Sequence, residues 1–469
     1  MKSRSFLWLM VVSAVAGLAA GPRAQGAPQA VSPVGDADIQ ALLDQRLLPR
    51  TDTAIIVGII GPTGRRIVVA GKAGPNGAPA LDGHTVFEIG SATKVFTTAL
   101  LMDMVRRGEV RLDDPVAKYL PPSVNVPSRG GRQITLVDLA THTSGLPRLP
   151  PNLQPGDMAN PYADYSVEQL YQFLSHHQLT RDIGEQYEYS NLGMGLLGHA
   201  LGLRAGATYE ALVSARILEP LQMHETAITL SPALRARLAV GHDNAGRPVA
   251  NWDLPTLAGA GALRSTLEDM LRFLQANLDK DKPGLASVLQ DTHAARHALT
   301  TPDGSIGLGW HLRRAFDREI VWHNGGTGGY HSFIGFDEKT KTGVVLLHNS
   351  AQSIDDIGFH LIEPRLPVAR PQAPAPPRTE VKLDASVLGS YVGEYRLTPE
   401  FAIVVTREGD QLFIQATGQA KVPIYAESET QFFLKVVDAQ ITFSRDASGR
   451  ATRLVLHQNG RDTTGERVR

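Results

Sequence analysis

A proline-rich segment divides the chain into two parts and so limits what it can fold into. Residues 364–378 (PRLPVARPQAPAPPR) contain few bulky apolar side chains, and proline continues neither a helix nor a central strand. We therefore predict a stiff, extended linker over 363–382. A chain of 469 residues is also too long for one ordinary domain, so a separate folded unit is expected on each side.

The part before the linker, residues 36–362, mixes helical and strand-like patterns. Asp36 is placed to cap a first helix, and a second helix is expected from Ala92 to Arg107, ended by Gly108. The middle of this part is rich in helical patterns. The strand-like segments are 54–60, 66–70, 320–323, 331–336 and 343–348. This order predicts an α/β domain whose sheet is completed by segments distant in the chain.

The part after the linker, residues 383–469, alternates short strand-like runs with turns. Two turn signals stand out, Glu408-Gly409-Asp410 and 446–449 (DASG), and no long helical pattern intervenes. This arrangement predicts a small all-β domain, a lipocalin-like barrel or a sandwich, of which we favour the barrel.

The N-terminal residues resemble an export signal. Lys2 and Arg4 precede an apolar run from Phe6 to Ala20, and small residues before Ala27 offer a cleavage point. We predict a signal peptide over 1–26 and a periplasmic or secreted protein with no transmembrane anchor after cleavage. The alternative, a retained anchor, fits less well because the run is short and Gly17 interrupts it.

Composition excludes several classes of function. The chain has no cysteine, which rules out disulfides, a thiol nucleophile and cysteine–zinc sites. Lys plus Arg total 46 against 47 for Asp plus Glu, so no net field draws the protein to nucleic acid. His176 and His177 are adjacent and cannot face one ligand on a helix, and no other metal-binding motif occurs. We expect no metal, no cofactor and no nucleic-acid partner, but a small-molecule or peptide substrate.

The first candidate motif is Ser91-Ala92-Thr93-Lys94, where the extended segment VFEIG meets a helix. A serine at a helix start has an exposed side chain, a free backbone N–H and a favourable helix dipole. Three residues are about 300° of rotation and about 4.5 Å of rise, so Lys94 lies on the same face one turn later. A buried lysine there serves as a base or as a fixed positive charge. The alternative is that Ser91 only caps the helix.

Two further motifs follow in the chain. Tyr189-Ser190-Asn191 begins an apolar helical stretch, and a tyrosine near a lysine can shuttle a proton, although a buried structural tyrosine explains the tripeptide equally well. His323-Asn324 then leads into Gly325-Gly326-Thr327-Gly328-Gly329, whose four glycines indicate a closely approached backbone. A β-bulge or hairpin is the alternative. No Gly-Lys-Ser/Thr follows, which excludes a P-loop.

Together the three motifs resemble those of serine β-lactamases, penicillin-binding proteins and related esterases, and Y-x-N points to the class C branch. Further similar stretches are FEIGSATK, LATHTSGLP (139–147), GAGALRSTLEDMLRF (259–273), GLGW (307–310) and HNGGTGGYHS. The resemblance covers roughly 36–350. The segment 385–460, with LGSYVGEY and LVLHQNG, resembles the β domain often attached to these hydrolases. It implies an antiparallel sheet flanked by helices, a helical subdomain and a C-terminal barrel.

The resemblance also implies a role for each motif residue. Ser91 would be the acylated nucleophile, Lys94 its proton acceptor or electrostatic partner, and Tyr189 the general base and then acid. Asn191 would position Lys94 and the substrate. The oxyanion hole would consist of the Ser91 and Gly326 N–H groups, with the substrate site formed by His323, Gly325 and Thr327.

One departure concerns His323, because class C β-lactamases usually carry lysine at this position. Histidine is largely neutral at pH 7 and gives no fixed charge for a substrate carboxylate. An esterase or D-peptidase is therefore favoured over a β-lactamase, unless Thr327, Arg148 or Arg264 binds the carboxylate. A non-catalytic sensor of cell-wall fragments is the alternative from another class. For His142 in ATHTSG there are two alternatives, contact with the edge of the active site or a structural role in a loop, of which we favour the structural role.

Overall fold

The computed structural model describes the chain in ten segments. These segments are 33–48, 52–74, 80–279, 284–299, 304–369, 378–398, 401–417, 421–434, 439–458 and 461–468. The predicted signal peptide (1–26) lies outside the described residues, as does the central part of the predicted linker (370–377).

The helices and strands of the described residues are numbered here in chain order. The helices are α1 Asp36–Leu47, α2 Thr93–Arg106, α3 Leu136–Ala140, α4 Val167–His176, α5 Asn191–Ala205, α6 Tyr209–Val213, α7 Pro232–Arg235, α8 Leu267–Leu278, α9 Leu285–His293, α10 Asp355–Ile362 and α11 Ala385–Tyr391. The strands before the proline-rich segment are β1 Ala54–Gly61, β2 Gly64–Gly71, β3 Val86–Glu88, β4 Ser128–Arg129, β5 Arg132–Gln133, β6 Arg264–Thr266, β7 His297–Ala298, β8 Gly304–Ile306, β9 His311–Ala315, β10 Arg318–Gly326, β11 His331–Asp337 and β12 Thr342–His348. The strands after it are β13 Gly393–Thr398, β14 Phe401–Glu408, β15 Gln411–Ala416, β16 Val422–Ala426, β17 Gln431–Phe433, β18 Ala439–Arg445, β19 Ala451–Gln458 and β20 Arg461–Arg467.

The main sheet joins the two ends of the first part of the chain. In the described residues it has eight antiparallel strands in the order β2-β1-β12-β11-β10-β9-β8-β7. The N-terminal hairpin β1–β2 therefore pairs with β12, nearly 300 residues later, as the sequence predicted. Two boundaries shift slightly: Gly35 rather than Asp36 occupies the N-cap of α1, and α2 begins at Thr93 after a short 3-10 turn.

Both faces of the sheet are covered, which explains why β1 (AIIVGIIG) is apolar without alternation. Ile56 and Ile60 face the larger core, which includes Leu271 on α8, whereas Ile55 and Val57 face the core formed with α1 and α10. Each fully buried side chain of this size is worth about 1.5–3 kcal/mol relative to an exposed one. The sheet therefore lies between two hydrophobic cores, each formed with helices.

The second part of the chain closes on itself. In the described residues β13 to β20 form a closed eight-stranded antiparallel barrel. Tyr391, at the end of α11, packs against Phe432 and Phe443 with ring centroids 5.3 and 4.5 Å apart, and Tyr395 donates a hydrogen bond to the Tyr391 carbonyl. The interior of the barrel is filled by apolar and aromatic side chains such as these. The predicted fold class, a helix-flanked antiparallel sheet plus a C-terminal barrel, is confirmed.

Within the described residues, no helix combines the length and the apolar character needed to cross a bilayer.

Candidate active site

Ser91 lies on a tight turn between a strand and a helix. Strand β3 ends at Glu88, a 3-10 turn covers Gly90–Ala92, and α2 begins at Thr93. Ile89 and Ala92, rather than Ser91, occupy the N-cap positions of the 3-10 turn and of α2, so the cap alternative does not describe this structure. Gly90 has φ +49°, and a Cβ there would lie 2.9 Å from the backbone nitrogen of Gly326. Only glycine permits both this conformation and this approach.

Lys94 is fully buried directly behind Ser91. Its Nζ lies 2.9 Å from Ser91 Oγ and donates to the Ala260 carbonyl at 2.6 Å. Burial, together with the nearby Arg148 guanidinium, lowers the pKa of Lys94 well below its ordinary value. The neutral amine of Lys94 is therefore far more populated at a given pH than that of a surface lysine. This arrangement favours the proton-acceptor role over the fixed-charge role for Lys94.

Tyr189 immediately precedes the N-cap of α5 and faces the same serine. Its hydroxyl is hydrogen-bonded to Ser91, and Lys94 Nζ lies 4.8 Å from its ring centroid. Burial raises the pKa of Tyr189 to about 12, although the Ser91 hydrogen bond and Arg148 oppose the shift. In the free protein Tyr189 therefore keeps its proton at neutral pH. The Ser91 hydroxyl thus lies between the amine of Lys94, which can act as a base, and the phenol of Tyr189, which can act as an acid.

The end of β10 brings a second backbone N–H to the serine turn. Thr327 N–H donates to the Tyr330 carbonyl and closes the β10–β11 hairpin. Backbone donors alternate between the two sides of an antiparallel strand, so the N–H of Gly326 points away from β11. On that side β9 pairs with β10 only as far as Trp322, and no described strand pairs with Gly326 there. The contact of Gly90 with the Gly326 backbone places the serine turn beside this strand end.

Gly325 is required for this close approach. A Cβ at this position would lie 1.9 Å from the Ile89 carbonyl oxygen, and Ser332 Oγ donates to the same oxygen at 2.7 Å. Strand β10 thus lies directly against the backbone that leads to Ser91. The glycine-rich motif predicted a closely approached backbone, and the partner that approaches is the serine turn.

His323 is buried in the site and carries no charge. Its Nδ1 lies 2.5 Å from the Asn324 carbonyl, an acceptor only, so the ring proton resides on Nδ1. Nε2 is buried and has no partner among the described residues. Burial, with His311 and Lys94 nearby, lowers the pKa of His323 well below its ordinary value. His323 therefore presents a bare acceptor at neutral pH and supplies no cation to a carboxylate.

Two other predicted residues present polar atoms without partners. Asn191 Oδ1 and Thr327 Oγ1 are buried and unbonded within the described part of the chain. Asn191 was expected to position Lys94, but the Nζ group hydrogen-bonds to Ala260 instead. Buried polar atoms of this kind are costly unless a partner satisfies them, and a bound substrate is one such partner.

Three further side chains lie around Tyr189: the sequence named Arg148 as a candidate carboxylate ligand, favoured a loop role for His142 and did not indicate His311. His142 has φ +58°, accepts a hydrogen bond from Ser190 N–H at 3.1 Å through Nδ1, and lies 4.6 Å from the Tyr189 ring centroid. His311 lies 6.5 Å from the same centroid, and burial lowers its pKa to about 4. Arg148 lies over the ring, with Cζ 5.0 Å from the centroid. LATHTSGLP and GLGW were signals near these positions, but neither indicated contact with Tyr189.

Among the described residues, no group of three or more histidine, aspartate or glutamate side chains is arranged to hold a metal ion.

Similarity to known protein families shows to which family this chain belongs. The Beta-lactamase family matches residues 57–362, about two thirds of the chain, and a domain of unknown function (DUF3471) matches 377–467. The chain belongs to the Beta-lactamase family. It is a serine hydrolase of the β-lactamase and penicillin-binding-protein type, acting on an amide or ester carbonyl through an acyl-enzyme. The non-catalytic sensor alternative gains no support from these matches.

Named relatives include peptidases as well as β-lactamases. The D-alanyl-D-alanine-carboxypeptidase/endopeptidase AmpH of Escherichia coli (strain K12) is 34% identical over 293 residues, 59% of this chain and 73% of its own length. Penicillin-binding protein 4* of Bacillus subtilis (strain 168) is 25% identical, covering 82% of this chain and 88% of its own. A Yersinia pestis crystal structure, described as a β-lactamase/D-alanine carboxypeptidase complexed with citrate, has a TM-score of 0.60 and 26% identity, covering 70% and 98% of the two chains.

Proposed function

We propose that this hydrolase cleaves D-amino-acid peptides and simple esters, and that it is a poor β-lactamase. The observation that carries the proposal is His323, which is fully buried, neutral and turned so that Nε2 is an acceptor. A carboxylate next to this atom gains neither an ion pair nor a hydrogen bond. A substrate that depends on a cation at this strand is therefore bound poorly.

The proposed catalytic cycle begins with proton transfer from Ser91 Oγ to the neutral amine of Lys94 as Oγ attacks the carbonyl carbon. The N–H groups of Ser91 and Gly326 bind the resulting oxyanion, a contribution of about 3–4 kcal/mol per donor. Tyr189 then gives its proton to the leaving nitrogen or oxygen while the carbon–leaving-group bond breaks, and the Lys94 ammonium returns a proton to Tyr189. A water molecule then attacks the acyl carbon while Lys94 takes its proton. Collapse of this second oxyanion breaks the bond to Ser91 Oγ, which takes a proton from Tyr189 as the Lys94 ammonium returns one to Tyr189.

This order of proton transfers is based on the direction of the two pKa shifts. The pKa of Lys94 is lowered and that of Tyr189 is raised to about 12. In the free protein at neutral pH the lysine amine is therefore the group that can accept a proton, and the tyrosine is the group that can donate one. Asn191 and Thr327 are proposed to hydrogen-bond the substrate through their unpaired atoms.

The relatives support the peptidase activity. AmpH is named as a D-alanyl-D-alanine-carboxypeptidase/endopeptidase, and the Yersinia pestis protein as both a β-lactamase and a D-alanine carboxypeptidase. Proteins of this family thus divide between the two substrate classes, and the names of these relatives support the peptidase class. The neutral His323 favours substrates that place no carboxylate against this strand, such as simple esters and internal peptide bonds.

The substrate proposal is tested by replacing His323 with lysine. A charged hydrogen bond is worth about 1.5–3 kcal/mol, so His323→Lys should raise kcat/KM for a chromogenic cephalosporin by about ten- to a hundredfold. Hydrolysis of p-nitrophenyl acetate should change by no more than a few-fold. His297→Lys, on β7 at the edge of the sheet, is the matched control. A wild type that already hydrolyses cephalosporins efficiently, with no gain from lysine, would contradict the proposal.

We also propose export to the periplasm or the cell exterior after cleavage of residues 1–26, with a small-molecule or peptide substrate and no nucleic-acid partner. The charged residues Lys2 and Arg4 before the apolar run support export, and the balanced charge of the chain supports the absence of a nucleic-acid partner. N-terminal sequencing of the protein recovered from a bacterial host should find Ala27 first. A mature chain that still begins at Met1 would contradict export with cleavage.

A further inference from the structure

Two histidines of the active site each leave one ring nitrogen without a partner. His323 Nε2 and His311 Nδ1 are buried and form no hydrogen bond with any residue that the structure describes. His311 pairs with Trp322 at the end of the β9–β10 ladder, so it stands beside His323 on the neighbouring strand. The centroids of the two imidazoles are 5.2 Å apart. Buried polar atoms without a partner are costly, and two of them side by side point to a shared ligand.

The other ring nitrogen of each histidine is held by an oxygen atom. His323 Nδ1 donates to the Asn324 carbonyl at 2.5 Å, and His311 Nε2 lies 2.9 Å from the Tyr187 hydroxyl. The carbonyl fixes the His323 proton on Nδ1, and the phenol oxygen can accept a proton from His311 Nε2. Metal-binding histidines are oriented in the same way: one nitrogen donates to an oxygen, and the other presents its lone pair.

The separation and the charge of the two rings also fit one metal ion. A Zn–N bond of about 2.1 Å and a tetrahedral angle at the metal place the centroids of two ligating imidazoles about 5 Å apart. Both rings are neutral at pH 7, because burial lowers the pKa of His311 to about 4 and that of His323 well below its ordinary value. Neutral imidazole suits Zn²⁺, Cu²⁺ and Ni²⁺, whereas Mg²⁺ and Ca²⁺ prefer oxygen ligands. Two protein ligands are fewer than the three of a catalytic zinc site, so an ion held here exchanges readily and is not a resident cofactor.

We infer that His311 and His323 form a binding site for a transition-metal ion such as Zn²⁺, and that the bound ion inhibits the enzyme. The ring centroid of Tyr189 lies 6.5 Å from that of His311 and 6.4 Å from that of His323, so an ion between the two imidazoles lies beside the acid of the proposed cycle. Lys94 is near enough to disfavour protonation of both rings. A dication at this position in turn opposes protonation of Lys94, the step on which attack by Ser91 depends. Metal binding by the two histidines is independent of the substrate class that the enzyme prefers.

The test measures binding directly, by isothermal titration calorimetry of Zn²⁺ into the whole protein, prepared without a histidine tag in a buffer that does not bind metals. His311→Ala and His323→Ala each remove one ligand, and each should weaken Zn²⁺ binding by at least about tenfold. Tyr187→Phe keeps both imidazoles and removes only the hydroxyl that orients His311, so binding should weaken by about tenfold. Mg²⁺ should give no binding signal at these histidines.

His199→Ala is the matched control. His199 Nε2 lies 2.8 Å from the Tyr171 hydroxyl, the same pairing that His311 makes with Tyr187. Within the described part of the chain its ring lies against that of Tyr171 and against no second imidazole. Zn²⁺ binding by this variant should therefore stay within about twofold of wild type.

Inhibition is measured with p-nitrophenyl acetate, corrected for hydrolysis by Zn²⁺ alone. Zn²⁺ should lower the wild-type kcat/KM with an inhibition constant equal to the Kd from calorimetry, and EDTA should restore the activity. Tyr187→Phe should need about ten times more Zn²⁺ for the same fractional inhibition, and His199→Ala should need the same amount as wild type.

The possible failures give different results. A wild type that binds no Zn²⁺, or binding that is unchanged in both His311→Ala and His323→Ala, would overturn the metal site. If an alanine variant does not fold, as judged by thermal unfolding, unchanged binding in Tyr187→Phe would overturn it instead. Binding through the two histidines that leaves hydrolysis unaffected would overturn the inhibition. A wild type that binds Zn²⁺ through them but does not hydrolyse the ester would contradict the proposed function and leave the metal site established.

Discussion

Replacing Lys94 with methionine separates its chemistry from its packing. The side chain is fully buried, and methionine nearly matches its length and volume. The variant removes the atom 2.9 Å from Ser91 Oγ and the hydrogen bond to the Ala260 carbonyl. It leaves the serine turn and the position of Tyr189 unchanged.

The expected losses differ strongly between activity and stability. A positioned general base contributes about 10²–10⁴-fold, so kcat/KM should fall by that factor, equivalent to about 3–5 kcal/mol of transition-state stabilisation. An unsatisfied Ala260 carbonyl costs about 1–3 kcal/mol, whereas removing a buried amine offsets part of that cost. The free energy of unfolding should therefore change by no more than about 2 kcal/mol.

The assay is hydrolysis of p-nitrophenyl acetate between pH 5 and 9.5, corrected for the uncatalysed reaction. The pKa of Lys94 is lowered, so wild-type kcat/KM should rise as the pH passes through that depressed value and the amine becomes a base. This limb should be absent in Lys94→Met. Lys94→Arg, which keeps a positive charge but cannot accept a proton at these pH values, should lose as much. A methionine variant within tenfold of wild type, or an arginine variant that remains active, would refute the base assignment.

Variants at three further positions test neighbouring parts of the site. Tyr189→Phe should lower kcat by about 10²–10⁴-fold, and its double mutant with Lys94→Met should be little worse than the poorer single variant; additive losses would mean that the two residues act independently. His142→Ala removes the acceptor of the Ser190 N–H and the ring beside Tyr189. It should lower kcat more than His142→Asn, because asparagine tolerates the positive φ and keeps an acceptor. Equal losses in the two variants would exclude a role for His142 in positioning Tyr189. Gly325→Ala would place a Cβ 1.9 Å from the Ile89 carbonyl, and should cost about 1–3 kcal/mol of stability and up to about 10²–10³ in kcat; wild-type stability and kcat would show that β10 need not lie so close to the serine turn.

The sequence predicted those parts of the structure that depend on local pattern. The hairpin of β1 and β2, the helix that follows Ser91 and the turns of the barrel are all encoded in short-range hydrophobic spacing and in glycine. Ser91 and Lys94 lie one helical turn apart, so their contact followed from geometry. Tyr189 could be placed beside them only through the resemblance to a family.

The remaining features depend on long-range packing that no local pattern expresses. The Ala260 carbonyl reaches Lys94 across 166 positions of the chain, and the Gly325 backbone meets Ile89 across more than 230. The sequence favours a structural loop role for His142 over contact with the active-site edge, because its left-handed backbone and its contact with Ser190 are visible only in three dimensions. Likewise, the sequence could not show that Arg264 is paired while Arg148 is not.

The proposed mechanism depends most directly on covalent chemistry at Ser91, and one measurement tests it. The protein is treated with a fluorophosphonate, its intact mass is recorded, and the labelled peptide is sequenced by mass spectrometry. We expect one adduct on Ser91, which forms much more slowly in Lys94→Met and is absent in Ser91→Ala, and we expect the Ser91→Ala protein to be inactive on p-nitrophenyl acetate. An adduct on another serine, or turnover by Ser91→Ala equal to that of the wild type, would contradict it.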